Sequence, residues 1–211
     1  MSDTIDQTTF EGIYARKEAP WDTGKPHSQF VAIADRVTSP ILDAGCGTGE
    51  VALFLGGQGH RVTGIDFVEE AIQLARSKAV ERGLAVEFLV KDALTLGEWD
   101  RKFTTVIDSG LFHVFSDDDR KRYVDGLRAV LAPDGVLFLS CFSDEEPGTE
   151  GPRRVSRREL FDAFADGFAI ESIEPSQFEV NPRASGTTFS PGGPKTWFAT
   201  IRRKLPACGH V

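Results

Sequence analysis

Residues 41–50 read Ile-Leu-Asp-Ala-Gly-Cys-Gly-Thr-Gly-Glu, and the apolar segment Val-Ala-Leu-Phe-Leu follows at residues 51–55. An apolar run ends at an acid, three glycines follow at alternate positions, and a helical pattern then begins. This order predicts a strand, a tight turn and a helix. Glycine is needed where the backbone takes a positive φ or where a ligand lies against the main chain. Because free N–H groups at a helix start favour negative charge, the turn predicts a pocket for a nucleotide-like cofactor with an anionic end.

Around this turn, strand patterns alternate with helical patterns. Strands are predicted at residues 40–43, 61–66, 86–90, 105–108, 136–141, 168–173 and 195–202, and helices at residues 10–18, 30–36, 50–57, 69–82, 117–131 and 156–164. Such alternation indicates a mostly parallel sheet covered on both faces. No helical pattern separates the last two strands, so they are expected to pair antiparallel. The predicted fold class is α/β: a Rossmann-like, doubly wound sheet of about seven strands, mostly parallel with an antiparallel C-terminal strand.

The length of 211 residues suits a single domain. Residues 40–211 are expected to form the cofactor-binding domain, and residues 1–39 an N-terminal helical lid segment. Within that segment, residues 19–26 contain two prolines and a glycine, which oppose a regular element. This stretch is therefore free to fold back over the cofactor site.

The composition limits the choice of partners. A net charge of −8 argues against nucleic acid or an anionic membrane as the main partner, and no apolar stretch is long enough to span a bilayer. Three widely spaced cysteines, Cys46, Cys141 and Cys208, fit neither a disulfide framework nor a zinc site. The four histidines are scattered as well, so no metal site is predicted. A cytoplasmic, reduced protein is expected, as a monomer or weak homodimer.

Acidic residues end the first four predicted strands. They are Asp43, Asp66, Asp92 and Asp108. In an open α/β sheet, ligands bind beyond the carboxyl ends of the strands. We therefore expect the four carboxylates to gather around one ligand site.

The glycine pattern identifies the cofactor class. A dinucleotide fingerprint would need a third glycine at position 50, which is Glu50. The pattern D-x-G-x-G-x-G, with Asp66 closing the next strand, instead resembles motif I of the class I S-adenosylmethionine-dependent methyltransferases. The resemblance implies S-adenosyl-L-methionine as cofactor, S-adenosyl-L-homocysteine as product, and contacts from Gly45, Gly47 and Gly49.

Each strand end can then be given a role toward this cofactor. Asp66, 17 residues beyond Gly49, is expected to bind the ribose hydroxyls, since a carboxylate accepts two hydrogen bonds from a vicinal diol. Phe67 is either an adenine contact or a half-buried core residue. The other expected contacts are Asp92 and Ala93 to adenine, Asp43 to the glycine turn, and Asp108 and Ser109 at the methionine end.

Two further stretches carry more specific resemblances. Residues 20–26, Pro-Trp-Asp-Thr-Gly-Lys-Pro, resemble the lid of the thiopurine, thiol and halide methyltransferases and of the tellurite-resistance methyltransferases. In those families the tryptophan contacts the cofactor, which implies that role for Trp21. Residues 108–113, with Glu-Gly-Pro at 150–152, are similar to mycobacterial-type methyltransferases that act on heterocyclic toxins such as hydroxyquinolones.

For the chemistry, a neutral hydroxyl acceptor benefits from a general base, and a thiolate does not. His113 is the candidate base because it follows the fourth strand and histidine titrates near neutral pH; its alternative is a packed histidine under the loop. Tyr14, Phe112 and Phe115 are candidates for an apolar acceptor pocket, although each also suits the core. Phe142 is considered for the same pocket but best suits the core alone.

The sequence thus predicts a methyltransferase acting on an O, S or N atom of a small, aromatic or heterocyclic molecule, with neither nucleic acid nor membrane as partner. A methyltransferase for thiol, halide or chalcogen acceptors is the alternative within the class. A nicotinamide-dependent oxidoreductase is opposed by Glu50 and by the lid. A non-catalytic adenosyl-binding regulator is a further alternative.

Overall fold

The computed structural model describes residues 8–10, 12, 19–181 and 189–205. In these residues the strands are β1 (Ile41–Ala44), β2 (Val62–Asp66), β3 (Glu87–Val90), β4 (Phe103–Ser109), β5 (Leu131–Phe142), β6 (Phe168–Gln177) and β7 (Lys195–Arg203). In the same described residues the α-helices are α1 (Ser28–Val31), α2 (Glu50–Gly57), α3 (Glu69–Glu81), α4 (Asp117–Val130) and α5 (Arg157–Ala163). Short 3₁₀ helices at Ala93–Glu98 and Phe112–Val114 follow β3 and β4.

The strands form one seven-stranded sheet in the order β3-β2-β1-β4-β5-β7-β6 within the described residues. β1 to β5 pair in parallel, and β7 pairs antiparallel with both β5 and β6. The predicted fold class is confirmed, including the antiparallel pairing of the last two strands.

Alternate residues of β1 show how the sheet is covered. Ile41 packs into a core cluster with α2 and α3, whereas Leu42 packs into the cluster on the other face with α4 and α5. Both side chains are fully buried. Because successive residues of a strand point to opposite faces, a continuous apolar strand needs helices on both sides.

Helix starts follow local capping chemistry. The Ser116 side chain accepts a hydrogen bond from the backbone N–H of Asp119 and opens α4, and Ser156 with Glu159 forms the predicted capping box of α5. One helix prediction is wrong in extent. Of the stretch 30–36, residues 30–31 end the four-residue helix α1 and residues 32–36 form a turn. No helix among the described residues is long and apolar enough to cross a membrane.

Candidate active site

The glycine turn between β1 and α2 has the backbone that the sequence pattern predicts. Gly45, Gly47 and Gly49 have φ values of 68°, 53° and 84°. A Cβ on Gly49 would lie 2.7 Å from Cζ of Phe88, and one on Gly45 would lie 3.1 Å from the Leu111 side chain. These positions therefore need glycine both for the left-handed backbone and for the close approach of neighbouring side chains.

A cleft opens at this turn, below the N-terminal segment. It encloses about 470 Å³, including its solvent-open mouth. The lining residues are Trp21, Asp22, Thr23, Lys25, His27, Asp43, Gly45, Cys46, Gly47, Thr48, Glu50, Val51 and Ser109. Five of the predicted cofactor residues are thus brought together: Trp21, Asp43, Gly45, Gly47 and Ser109.

Asp66 is tied to the same turn. Its Oδ2 accepts a hydrogen bond from the Gly47 N–H at 2.9 Å, and its Oδ1 accepts one from the Val68 N–H at 2.9 Å. Burial raises the pKa of this carboxyl, although these backbone N–H groups act in the opposite direction. Asp66 therefore holds the glycine turn in place, and its role at the ribose hydroxyls stays a prediction.

Asp43 lies buried beneath the turn. Its Oδ2 accepts from the Ala52 N–H in α2 at 3.1 Å, whereas Oδ1 has no hydrogen-bond partner among the described residues. Burial raises the pKa of Asp43 to about 7, and the nearby Asp108 and Asp66 carboxylates add to the shift. The side chain anchors the turn, as predicted, and leaves one buried acceptor unpaired.

Asp108 is also fully buried, under the end of β4. It accepts hydrogen bonds from the backbone N–H groups of Leu111 and Phe112, and from the hydroxyl of Tyr123 at 2.9 Å. Burial raises its pKa to about 6. The Asp108 side chain therefore orders the loop after β4, and any contact with the methionine end falls to its backbone or to Ser109.

The residues predicted at adenine lie outside the cleft lining. Asp92 is exposed, and its carboxylate caps a 3₁₀ helix by accepting from the Leu94 N–H at 2.9 Å; Ala93 is buried behind it. Phe67 packs edge-on against Phe10, with ring centroids 5.7 Å apart. Their roles at adenine remain predictions.

The structure opposes a general-base role for His113. Nδ1 of the buried ring accepts a hydrogen bond from the Phe142 N–H at 2.9 Å, so the neutral ring carries its proton on Nε2. Burial lowers the pKa of His113 to about 3, and Arg120 and Arg154 add to the shift. A ring that is neutral and has its lone pair in use cannot take a proton near pH 7, so the packed histidine is the better description.

The predicted acceptor aromatics are not brought to the cleft. Phe112 stacks on Phe164 in the main core, with its ring under the guanidinium of Arg120, and Phe115 packs against Tyr123. Phe112 is fully buried, so it offers no surface to a ligand. The third predicted residue, Tyr14, lies outside the described residues.

Other aromatic residues lie beside the cleft. Phe178, just beyond β6, packs against the cleft residue His27 with ring centroids 4.9 Å apart, and against Phe142 at 6.1 Å. Phe189 meets Phe142 edge-on at 5.6 Å. We call Phe142, Phe178 and Phe189 the aromatic cluster. Sequence analysis considered Phe142 but missed Phe178 and Phe189, because they are far from it along the chain and follow no pattern.

Polar contacts hold the N-terminal segment over the cleft. The Thr48 hydroxyl donates to Asp22 Oδ2 at 3.0 Å and accepts from Lys78 Nζ at 2.7 Å. The Asn181 N–H donates to the Pro20 carbonyl at 2.8 Å. His27 pairs with Glu179 at 2.8 Å. Residues 19–27 therefore lie across the glycine turn, between that turn and the chain after β6, and their action as a lid stays a prediction.

The site suits the cofactor that the sequence resemblance implies. S-adenosylmethionine carries a cationic ammonium, and two buried acceptors have no partner among the residues that the structure describes: Oδ1 of Asp43 and Oε1 of Gln29. Gln29 is fixed by a 3.1 Å hydrogen bond from its Nε2 to the Ser140 hydroxyl, at the strand position beside Ser109. An ammonium would satisfy such acceptors, whose desolvation otherwise costs free energy. No cluster of residues suited to a metal ion occurs in the described part of the chain.

Comparisons with known proteins agree with this geometry. Residues 41–135 match a family model described as a methyltransferase domain. The 2-heptyl-1-hydroxyquinolin-4(1H)-one methyltransferase of Mycobacteroides abscessus is 33% identical over 94% of this chain and 90% of its own length. A probable thiol methyltransferase of Arabidopsis thaliana is 27% identical over 78% of this chain and 75% of its own.

A solved structure also matches nearly the whole chain. It was determined in work on the conversion of a disulfide bond into a thioacetal group during echinomycin biosynthesis. Its TM-score is 0.84 at 34% identity, covering 96% of this chain and 94% of that one.

Proposed function

Because the chain belongs to the class I S-adenosylmethionine-dependent methyltransferases that act on small molecules, we propose that it methylates an O, S or N atom of a planar aromatic or heterocyclic acceptor. The observation that carries this proposal is the position of the aromatic cluster next to the cofactor cleft. Phe178 contacts His27, which lines that cleft. Phe142 and Phe178 are buried and Phe189 is partly exposed, so a planar ring that packs against the exposed edge of the cluster would lie beside the cofactor site.

When bound, S-adenosylmethionine supplies a methyl group activated by a positively charged sulfur. The protein's part is to hold the reactants, align them and exclude water. Gly45, Gly47 and Gly49 provide the surface against which the cofactor lies. Asp43 and Gln29 offer acceptors for its ammonium, and Trp21 covers it from the lid.

The remaining cofactor contacts keep their predicted assignments as part of this proposal. Asp66 binds the ribose hydroxyls through lone pairs that the Gly47 and Val68 N–H groups leave available. Asp92, Ala93 and Phe67 surround the adenine ring. The backbone of Asp108 and Ser109 meets the methionine end.

The aromatic cluster supports a planar acceptor for a physical reason. Aromatic rings favour offset or edge-to-face packing with other rings, which is worth about 0.5–1.5 kcal/mol beyond area burial. The guanidinium of Arg154 lies over Phe142, 5.2 Å from the ring centroid, and brings positive charge to this surface. The name of the Mycobacteroides relative, with its bicyclic hydroxyquinolone, agrees with such an acceptor.

A thiol acceptor is the second candidate. The plant thiol methyltransferase similarity favours it, and a thiolate needs no base. A small inorganic nucleophile would gain nothing from an aromatic surface, so we rank halide and chalcogen acceptors below organic ones.

The test has two steps. Calorimetric titration should give micromolar binding of S-adenosylhomocysteine and no binding of NAD. Incubation with S-adenosylmethionine and 2-heptyl-1-hydroxyquinolin-4(1H)-one, 1-naphthol, naphthalene-1-thiol or iodide, followed by mass spectrometry, should then give methylated ring compounds. Methylation of iodide alone would contradict the planar-acceptor proposal, and binding of NAD alone would contradict the cofactor assignment.

A further inference from the structure

The buried His27 pairs with the partly exposed Glu179 at the edge of the cleft. Nδ1 of His27 lies 2.8 Å from Oε2 of Glu179, and Oε1 of the same carboxylate accepts from the Ser28 N–H at 3.1 Å. Both carboxylate oxygens are therefore held by the chain segment that begins α1. The imidazole ring is fixed in turn, since Phe178 packs against it.

This pairing determines which nitrogen of His27 is available. An ionised carboxylate only accepts hydrogen bonds, so Nδ1 carries the proton and the neutral ring has its lone pair on Nε2. Nε2 makes no hydrogen bond within the part of the chain that the structure describes. The ring lines the cleft together with Gly45 and Ser109.

The protonation state of the His27 ring suits a group that accepts a proton. Burial lowers the pKa of His27; the Glu179 carboxylate acts in the opposite direction, and Lys25 adds to the lowering. The ring is therefore neutral at pH 7, with Glu179 placed to stabilise the imidazolium once a proton arrives. His113, on the other side of Phe178, has the reverse arrangement, because its Nδ1 lone pair is used by Phe142.

We propose that His27, oriented by Glu179, is the general base of this enzyme, and that the acceptor carries a weakly acidic hydroxyl or N–H on its planar ring. This inference rests on the proposed function. In the step, Nε2 takes the acceptor proton while the acceptor lone pair forms its bond to the methyl carbon. The electron pair of the broken methyl–sulfur bond stays on sulfur, and the imidazolium later releases its proton to water. Glu179 acts as a positioning residue.

A binding experiment tests the base without turnover. Nitrogen-15 NMR of the imidazole rings, in the complex with S-adenosylhomocysteine, should show His27 protonated at Nδ1 only. Adding 1-naphthol should shift the Nε2 resonance, because the hydroxyl donates to it, whereas 1-methoxynaphthalene has the same ring and no proton to donate. A proton on Nε2 in the free protein, no shift with 1-naphthol, or an equal shift with the ether would overturn the proposal.

A kinetic experiment separates a base from a structural histidine. His27→Asn should lower kcat/KM for 1-naphthol by about 10²–10⁴-fold, the usual contribution of a general base, but for naphthalene-1-thiol by less than about tenfold, since the thiol ionises unaided. Glu179→Gln should lower the ratio of kcat/KM for 1-naphthol to kcat/KM for naphthalene-1-thiol by about tenfold. An equal loss on both acceptors would overturn the base assignment.

The chain offers a matched control in His60, whose ring nitrogen Nδ1 lies 3.2 Å from the Ser39 hydroxyl, away from the cleft. His60→Asn should leave both rates unchanged. If the parent protein methylates neither naphthalene compound, the proposed function fails for planar acceptors, and the NMR titration still decides whether His27 accepts a proton from a hydroxyl.

Discussion

The Gly47 backbone N–H donates to the Asp66 carboxylate at 2.9 Å, which joins the end of β2 to the glycine turn after β1. The second carboxylate oxygen accepts from Val68. A residue predicted to serve only the cofactor ribose thus also holds the turn that the cofactor lies against. Its loss should affect both stability and binding.

Asp66→Ala should therefore lower the free energy of unfolding by about 2–4 kcal/mol, because two backbone N–H groups lose their acceptor at a buried site. It should also weaken S-adenosylhomocysteine binding at least tenfold. Urea denaturation and calorimetry measure the two effects. Asp92→Ala is the comparison, since Asp92 is exposed: it should weaken binding while lowering stability by less than about 1 kcal/mol. Unchanged binding in Asp66→Ala would refute the ribose assignment.

Trp21→Ala should weaken S-adenosylhomocysteine binding about five- to thirtyfold with little change in Tm. The side chain is 38% exposed and makes an edge-on contact with Phe10 at 5.7 Å, so it still has apolar surface that a bound ligand would cover. Val80→Ala, which changes an apolar residue 83% exposed on α3, is the control and should bind as the parent does. Equal affinities of the parent, Trp21→Ala and Val80→Ala proteins for S-adenosylhomocysteine would show that Trp21 does not contact the cofactor.

Asp43 predicts an unusual dependence of stability on pH. Its folded pKa is about 7, above its ordinary value near 3.8, because burial disfavours the charged form. The contribution of Asp43 to the free energy of unfolding is therefore complete below pH 4 and is lost as the pH rises through 7. Because one proton is involved, the loss is no more than about 1.4 kcal/mol per pH unit. Urea denaturation between pH 4 and 8 should show that the unfolding free energy of Asp43→Asn falls less with rising pH than that of the parent protein. Parallel curves for the two proteins would contradict this.

For Glu50 we expect the opposite dependence of stability on pH. Burial alone would raise its pKa, but hydrogen bonds from Arg82 at 2.9 Å and Lys78 at 2.8 Å outweigh burial and lower it. Its stabilisation is therefore present at neutral pH and lost as the pH falls below about 4.5. Glu50→Gln should lower the unfolding free energy at pH 7 by about 1–3 kcal/mol, and the difference should shrink in acid.

The exposed pair of Glu87 and Arg101 provides the control for Glu50. Glu87→Gln should cost less than about 1 kcal/mol, since a surface ion pair is screened by solvent. If both substitutions cost the same, burial does not distinguish the two ion pairs.

His113→Ala should reduce methylation of 1-naphthol and naphthalene-1-thiol by the same factor. The substitution leaves the buried Phe142 N–H without its acceptor, which disturbs the aromatic cluster for every acceptor alike. It should also lower the unfolding free energy by about 1–3 kcal/mol. Steady-state kinetics on both compounds checks this, and a selective loss on 1-naphthol would restore His113 as a base.

The fold could be predicted almost entirely from local patterns. Period-two and continuous apolar runs mark strands, and the caps at Ser116 and Ser156 mark helix starts. The glycine turn was equally readable, because positive φ at Gly45, Gly47 and Gly49 leaves few other residues possible. The positions of the aspartates at the strand ends were predicted correctly, but the groups that their carboxylates contact were not.

Asp108 illustrates what local pattern leaves open. Its position at the end of β4 predicts nearness to the ligand, yet its carboxylate turns inward to Tyr123, a partner 15 residues away. His27 and Glu179 are 152 residues apart, and no sequence pattern in either segment predicts that they pair.

The sequence by itself therefore determined the sheet, the glycine turn and the cofactor class, because each depends on residues close together along the chain. Only the tertiary structure decided which carboxylates are buried, which aromatic residues border the cleft, and which histidine keeps a free lone pair. Those properties depend on burial and on long-range hydrogen bonds, which exist only once the distant segments have packed together.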